Sequence, residues 1–140
     1  MTMLGFLRGH LLECDDHGIV IDVNGVGYQL LVPQSILQKI KPGDSIEVFI
    51  HTNVRENSIE LFGFSNSWEK KVFLLLISVS GVGPRSALAI LNALDAEQIL
   101  TCIAREDSGG LSQAPGVGKK TAERLIIELN KKAAKLLTDW

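Results

Sequence analysis

Apolar residues in the first half of the chain fall in short alternating runs broken by glycine, proline and asparagine. In the second half they recur every three or four positions. The first pattern predicts strands and the second amphipathic helices. Met3 to Glu13 reads as one long or bent strand. Gly18 to Val23, rich in Ile and Val, is a second, and Asn24-Gly25 after it is a hairpin-turn signal. Gly27 to Val32 is a third, ended by Pro33. Ser35 to Ile40 is a short helix or loop, and Pro42-Gly43 marks another turn. Asp44 to His51 carries Ile46, Val48 and Ile50 on one face, and Ile59 to Phe64 is the fifth strand. Five strands within residues 1–64 predict a small antiparallel β barrel of the OB-fold type.

From Trp68 the period is helical, with Val72, Leu75, Leu76 and Val79 on one face and Glu69, Lys70 and Lys71 off it. Ala87 to Leu94, Ala96 to Arg105 and Thr121 to Leu137 read as further helices, separated by short glycine-bearing turns. Most of these apolar stripes are core packing; Leu125, Ile126 and Leu129 are expected to be buried within the second domain. The fold class is therefore an OB-fold barrel over residues 1–64 followed by an all-α domain over 65–140, with Ser65-Asn66-Ser67 at the boundary.

An internal repeat sits in the helical half. Ser80-Gly81-Val82-Gly83-Pro84-Arg85-Ser86-Ala87 returns as Pro115-Gly116-Val117-Gly118-Lys119-Lys120-Thr121-Ala122, in register at an offset of 35. Each copy follows an apolar segment and precedes a helix. Two glycines around one apolar residue allow a tight hairpin with unusual dihedrals. Val82 and Val117 are placed to point inward and anchor the turn. Gly81, Gly83, Gly116 and Gly118 leave no side chain between the backbone and an approaching phosphate. The helix that follows offers unpaired N–H groups and a positive dipole end, which together make an anion site. Pro84 suits a first helical position. Arg85, Lys119 and Lys120 add charge, and Ser86 and Thr121 add hydroxyl donors. The pattern predicts two helix-hairpin-helix clamps that grip DNA phosphates. Phosphate contacts orient a protein without reading bases, so the expected preference is for DNA shape. Neither copy has the Walker spacing, and the dinucleotide fingerprint needs a βαβ unit that is missing here.

Charge sharpens this picture. The net charge of −2 is unpromising for a nucleic-acid binder, but residues 1–66 hold four basic and eight acidic groups, whereas residues 67–140 hold ten basic and eight acidic. Binding follows the local field, screened beyond about 10 Å, and that field is basic only in the helical half. Cys14 and Cys102 lie far apart, and His10, His17 and His51 are scattered, so neither a disulfide framework nor a metal site is expected. The longest apolar run, Val72 to Ile77, is too short to span a bilayer, and Met1 to Arg8 lacks a signal-peptide pattern. A cytoplasmic location is the expectation.

Several segments together resemble one family. Met3-Leu4-Gly5-Phe6-Leu7-Arg8-Gly9, Asn24-Gly25-Val26-Gly27-Tyr28, Glu60-Leu61-Phe62-Gly63-Phe64 and the tandem hairpins through Glu123-Arg124-Leu125 are similar to those of the RuvA family of bacterial Holliday-junction-binding proteins. The resemblance covers essentially the whole chain. It implies a non-catalytic DNA-binding subunit without a cofactor that holds a four-way junction open and flat during recombination and repair. It implies a homotetramer, with an octamer on DNA as a further form, a partner ATPase of the RuvB type and a RuvC-type resolvase. It also implies an acidic pin at the junction centre. The matching tip here is Arg55-Glu56-Asn57-Ser58, with one acid followed by Asn where the family usually has two acids. The family further carries a linker and a C-terminal helical domain that contacts the motor. Trp140 precedes both, so RuvB contact is expected to be impaired.

Two other functions share these motifs. Pro115 to Ala122 also looks like the hairpin of base-excision DNA glycosylases, in which a lysine at the position of Lys120 works with an aspartate some twenty residues on, near Asp139. Tandem hairpins also occur as duplex-binding modules of repair nucleases and ligases.

Overall fold

The computed structural model describes residues 4–140. Five strands, β1 (Phe6–Cys14), β2 (Gly18–Val23), β3 (Val26–Leu31), β4 (Ser45–Arg55) and β5 (Ser58–Phe64), close into a barrel in the order β1-β2-β3-β5-β4. The pairings are antiparallel except β3 with β5, which run parallel with Leu31 opposite Phe62. A short helix, α1 (Gln34–Leu37), lies between β3 and β4. This is the expected OB-type barrel. Met3, the expected first residue of the opening strand, lies outside the described residues.

Alternation explains the core. Leu7, Leu11, Ile19, Ile21, Leu30, Val48, Ile50, Phe62 and Phe64 are buried, while most of their neighbours along each strand are partly or fully exposed. Closure needs β1 to serve two partners. It pairs with β4 from Phe6 to His10 and with β2 from His10 to Cys14. Leu11 faces Ile21 but Glu13 faces Val20, so Leu12 is an extra residue that the ladder extrudes to solvent. Such a bulge bends and twists a strand, letting it turn the barrel's corner. At the β2–β3 turn Asn24 and Gly25 both take positive φ, 53° and 88°, as the favoured two-residue hairpin requires. The Asp22 carboxylate accepts the Gly25 N–H at 2.7 Å.

β4 continues past His51, where the polar run His51-Thr52-Asn53 hides the strand in the sequence. Backbone pairing needs no apolar side chain, and it persists to Arg55 opposite Ser58. The end of this hairpin, from Val54 to Ile59, is exposed at every position. Within the barrel unit, burial pushes the His51 imidazole below its ordinary pKa, and the charge of Lys70 adds to the shift.

The helical half holds α2 (Ser67–Ile77), α3 (Pro84–Ala93), α4 (Ala96–Ala104), α5 (Ser108–Leu111) and α6 (Lys119–Thr138). Contacts divide the chain into a unit ending at Lys70 and a second unit, Lys71–Trp140, so the division falls inside α2. α2 is started by side chains: Asn66 accepts the Glu69 N–H at 2.9 Å and Glu69 reaches back to the Ser65 N–H at 3.0 Å. In the second unit Ile90, Ile99, Leu100, Ile103, Leu111, Leu125 and Leu129 are buried, and Ile126 with them. The Asn130 side chain donates to the carbonyls of Ile103 and Ala104, 3.2 Å each, tying α6 to the last turn of α4. No single described helix is long and apolar enough to cross a membrane.

Candidate nucleic-acid interface

The two copies of the repeat fold into the same object. Val82 N–H donates to the Val79 carbonyl at 3.0 Å, and Val117 N–H to that of Ala114 at 3.1 Å. Ala87 N–H donates to Gly83, and Ala122 N–H to Gly118, at 3.0 Å in both. Upstream, Ser78 to Leu75 and Val79 to Leu76 are matched by Gln113 to Gly110 and Ala114 to Leu111. Each bond recurs at the offset of 35, and the likeness reaches back beyond the eight residues visible in the sequence. Val82 and Val117 are both buried, as anchors of the turns.

The four glycines divide into two kinds. Gly81 and Gly116, first of each pair, have φ of 91° and 85°. That is the left-handed region, which side chains other than glycine's resist. Gly83 and Gly118, second of each pair, have φ of −86° and −82°, an ordinary extended conformation. A Cβ on either would meet nothing within 4 Å. The second glycines are thus not needed for the turn. They are the N-caps of α3 and α6, and neither helix has a side-chain cap. The contrast with the neighbouring helices is informative. α4 begins with a full capping box, Asp95 accepting the Gln98 N–H at 2.8 Å and Gln98 accepting the Asp95 N–H at 3.0 Å. α5 begins with Asp107 accepting the Gly110 N–H at 2.9 Å. At α4 and α5 a carboxylate fills the helix N-terminus; at the two hairpins the place of that carboxylate is left open. The first N–H groups of a helix have no intrahelical acceptor and carry the positive end of its dipole, so both open ends suit an external anion.

The side chains around them are cationic and accessible. Arg85 and Ser86 are exposed on the first turn of α3, as are Lys119 and Lys120 on that of α6, while Thr121 is half-buried. A further cation escaped sequence reasoning. Arg124, on the second turn of α6, donates from Nη1 to the carbonyl of Ser80 in the first hairpin at 2.9 Å. Only the fold brings these residues, 44 apart in sequence, together. α5 was missed as well, because Gly109 and Gly110 mask a helical turn; extending the repeat register from Leu76 to Leu111 would have found it. Gly110 is required there by close packing, since a Cβ would lie 2.7 Å from Cys102 Sγ. Burial, with the Asp107 charge, pushes the Cys102 thiol up.

Other candidates are not drawn together. Lys120 and Asp139 stand at opposite ends of the same helix, roughly 28 Å apart at about 1.5 Å of rise per residue, so they cannot act on one sugar. Arg55, Glu56 and Asn57 lie exposed at the β4–β5 tip. Among the described residues, no group of three or more His, Cys, Asp or Glu is placed to hold a metal ion.

Comparison with known proteins agrees with this geometry. Residues 3–63 match the RuvA N-terminal domain family, and residues 73–131 the SAM-like helix-hairpin-helix tandem family. The chain is 42% identical over 138 residues to the Holliday junction branch migration complex subunit RuvA of Francisella tularensis subsp. mediasiatica (strain FSC147), covering 98% of this chain and 64% of that protein. It is 45% identical over 128 residues to the protein of the same name from Pseudomonas putida (strain W619), covering 91% of this chain and 62% of that protein. The chain belongs to the RuvA family. It spans less than two thirds of the length of these RuvA relatives. Its barrel and tandem hairpins correspond to the two matched family regions, and the repeat that builds the open helix ends lies within the second of them, save the last residues of α6.

Proposed function

We propose that this chain is a non-catalytic subunit that binds four-way junction DNA through both hairpins and holds it open for a RuvB-type ATPase during branch migration. The observation that carries the reading is the pair of uncapped helix starts at Gly83 and Gly118, related by an exact sequence offset and flanked by Arg85, Lys119 and Lys120. Two anion sites on one small unit suit the two strands of a duplex arm, and sites that hold phosphates alone do not read sequence. The names of the relatives, subunits of a Holliday junction branch migration complex, support the choice of a junction over a plain duplex. One subunit per arm gives a four-fold ring with closed symmetry; a second ring on the opposite face would give the octamer. Gly81, Val82, Gly83, Arg85 and Ser86 form one clamp and Gly116, Val117, Gly118, Lys119, Lys120 and Thr121 the other. A RuvC-type resolvase acts on the same junction.

The test is binding to a four-way junction and to linear duplex of equal length across a salt series, with native mass measured with and without junction. Tighter junction binding and a multimer of four or eight are expected; equal affinity for both DNAs would overturn the reading. Lys119→Ala with Lys120→Ala should weaken binding on every sequence and reduce the salt slope by about one per lost phosphate contact. A folded double variant with the parental slope would take these lysines off the DNA.

Glu56 at the exposed β4–β5 tip is the pin in this reading. A carboxylate and a phosphate ~4 Å apart repel by only about 1 kcal/mol in water, and several subunits around one opening multiply that. Glu56→Gln is expected to tighten junction binding or alter strand opening, read by fluorescence of a base analogue at the crossover. Weaker binding by the folded variant would remove Glu56 from the junction centre.

A further inference from the structure

The two hairpins differ in one respect that the repeat itself does not predict. The second has two lysines at the start of its helix, Lys119 and Lys120. In the first, the position of Lys119 is Pro84, so its helix start carries one cation, Arg85. Arg124 stands where that shortfall is. It belongs to α6, the helix of the second hairpin, yet its guanidinium reaches the turn of the first. Nη1 donates to the Ser80 carbonyl at 2.9 Å, and a Cβ built on Gly81 would lie 3.2 Å from the same nitrogen. Glu128, one turn further along α6, faces Nε at 3.7 Å and steers the guanidinium plane. An exposed pair of this kind contributes little to stability. The bond to Ser80 is charge-assisted, and so among the stronger hydrogen bonds.

We infer that Arg124 is a positioning residue that braces the first hairpin against the helix of the second, holding the two phosphate sites at a fixed separation while lending the first hairpin its second positive charge. The inference rests on the proposed phosphate role of the hairpins. Duplex phosphates are spaced rigidly, so two sites engage one arm together only if their separation is set before binding. A brace from one hairpin to the other sets it, and it also fixes the left-handed turn at Gly81 by holding the carbonyl immediately before it. Lysine cannot reproduce this, because its single ammonium lacks the planar fork that serves Ser80 and Glu128 at once.

The test uses Arg124→Met and Arg124→Lys in the whole chain, with two readouts. Amide hydrogen exchange is the first. Without the brace the Val82 N–H is expected to exchange about tenfold faster, the size of one lost charged hydrogen bond, while its counterpart Val117 N–H is unchanged. Equal protection of Val82 in parent and Arg124→Met would overturn the brace whether or not the chain binds DNA. DNA affinity is the second. Arg124→Met is expected to weaken junction binding by about tenfold or more, with Arg124→Lys recovering little of it. In a double-variant cycle the loss should be non-additive with Gly81→Ala, which disturbs the same contact, and additive with Gly116→Ala. Full rescue by lysine would reduce Arg124 to a simple charge and overturn its positioning role. If the parent chain does not bind DNA, the proposed function fails while hydrogen exchange still decides the brace.

Discussion

Gly83→Asp and Gly118→Asp are expected to leave the fold intact, or slightly more stable, and to lose DNA binding. Both glycines have ordinary extended dihedrals, and a side chain at either finds open space. Aspartate is among the best N-cap residues, exceeding glycine by a few tenths of a kcal/mol, and Asp95 and Asp107 already do this work at α4 and α5. The introduced carboxylate would accept the N–H groups that the reading assigns to a phosphate, and would repel that phosphate as well. One substitution should reduce affinity at least about tenfold and the pair by roughly a hundredfold, from the value of charge-assisted hydrogen bonds. Serine at the same positions caps without charge and should fall between. Thermal melts and a binding titration decide the matter: a stable Gly83→Asp, Gly118→Asp protein that binds junctions as the parent does would mean that DNA does not sit at these helix ends.

Replacing the other two glycines should have the opposite signature, with stability lost first. Gly81→Val and Gly116→Val force a β-branched residue to φ near 90°, which costs on the order of 1–3 kcal/mol. The losses should be unequal. At Gly116 a new Cβ meets nothing within 4 Å, whereas at Gly81 it would crowd Arg124 Nη1 at 3.2 Å. Gly81→Val is therefore the more damaging of two substitutions that are identical by sequence repeat. Denaturant midpoints at constant slope measure the difference. If Gly116→Val were as stable as the parent, the left-handed turn would not be what requires glycine there.

Much of this is legible in the sequence itself. The alternation of Ile46, Val48 and Ile50 fixes which face of β4 lines the barrel, because a strand's period of two leaves no choice of face once one face is buried. The doubled Gly-Val-Gly with helix-starting flanks located both hairpins, because turn and cap chemistry are local: they depend on the dihedral freedom of Gly81 and Gly116 and on what does or does not sit at a helix start. Val82 and Val117 as anchors followed from the same local logic.

What depended on distant neighbours was not legible. β4 runs on to Arg55 because β5 supplies a backbone partner, and backbone pairing leaves no mark on the polar side chains of His51, Thr52 and Asn53. Leu12 is extruded because β1 must pair with β4 and β2 in turn, a demand of barrel closure rather than of β1's own sequence. α5 holds its single turn through packing of Gly110 on Cys102 and of Leu111 in the core, against the poor helical preference of its glycines. The two roles of the hairpin glycines, one for φ and one for an empty cap, emerge only from the backbone angles. Arg124 reads in sequence as one more surface cation on an amphipathic helix. Its bond to Ser80 exists because the fold of the second unit brings the start of α6 beside the first hairpin turn, and a contact across 44 residues is made by tertiary structure and not by any local propensity.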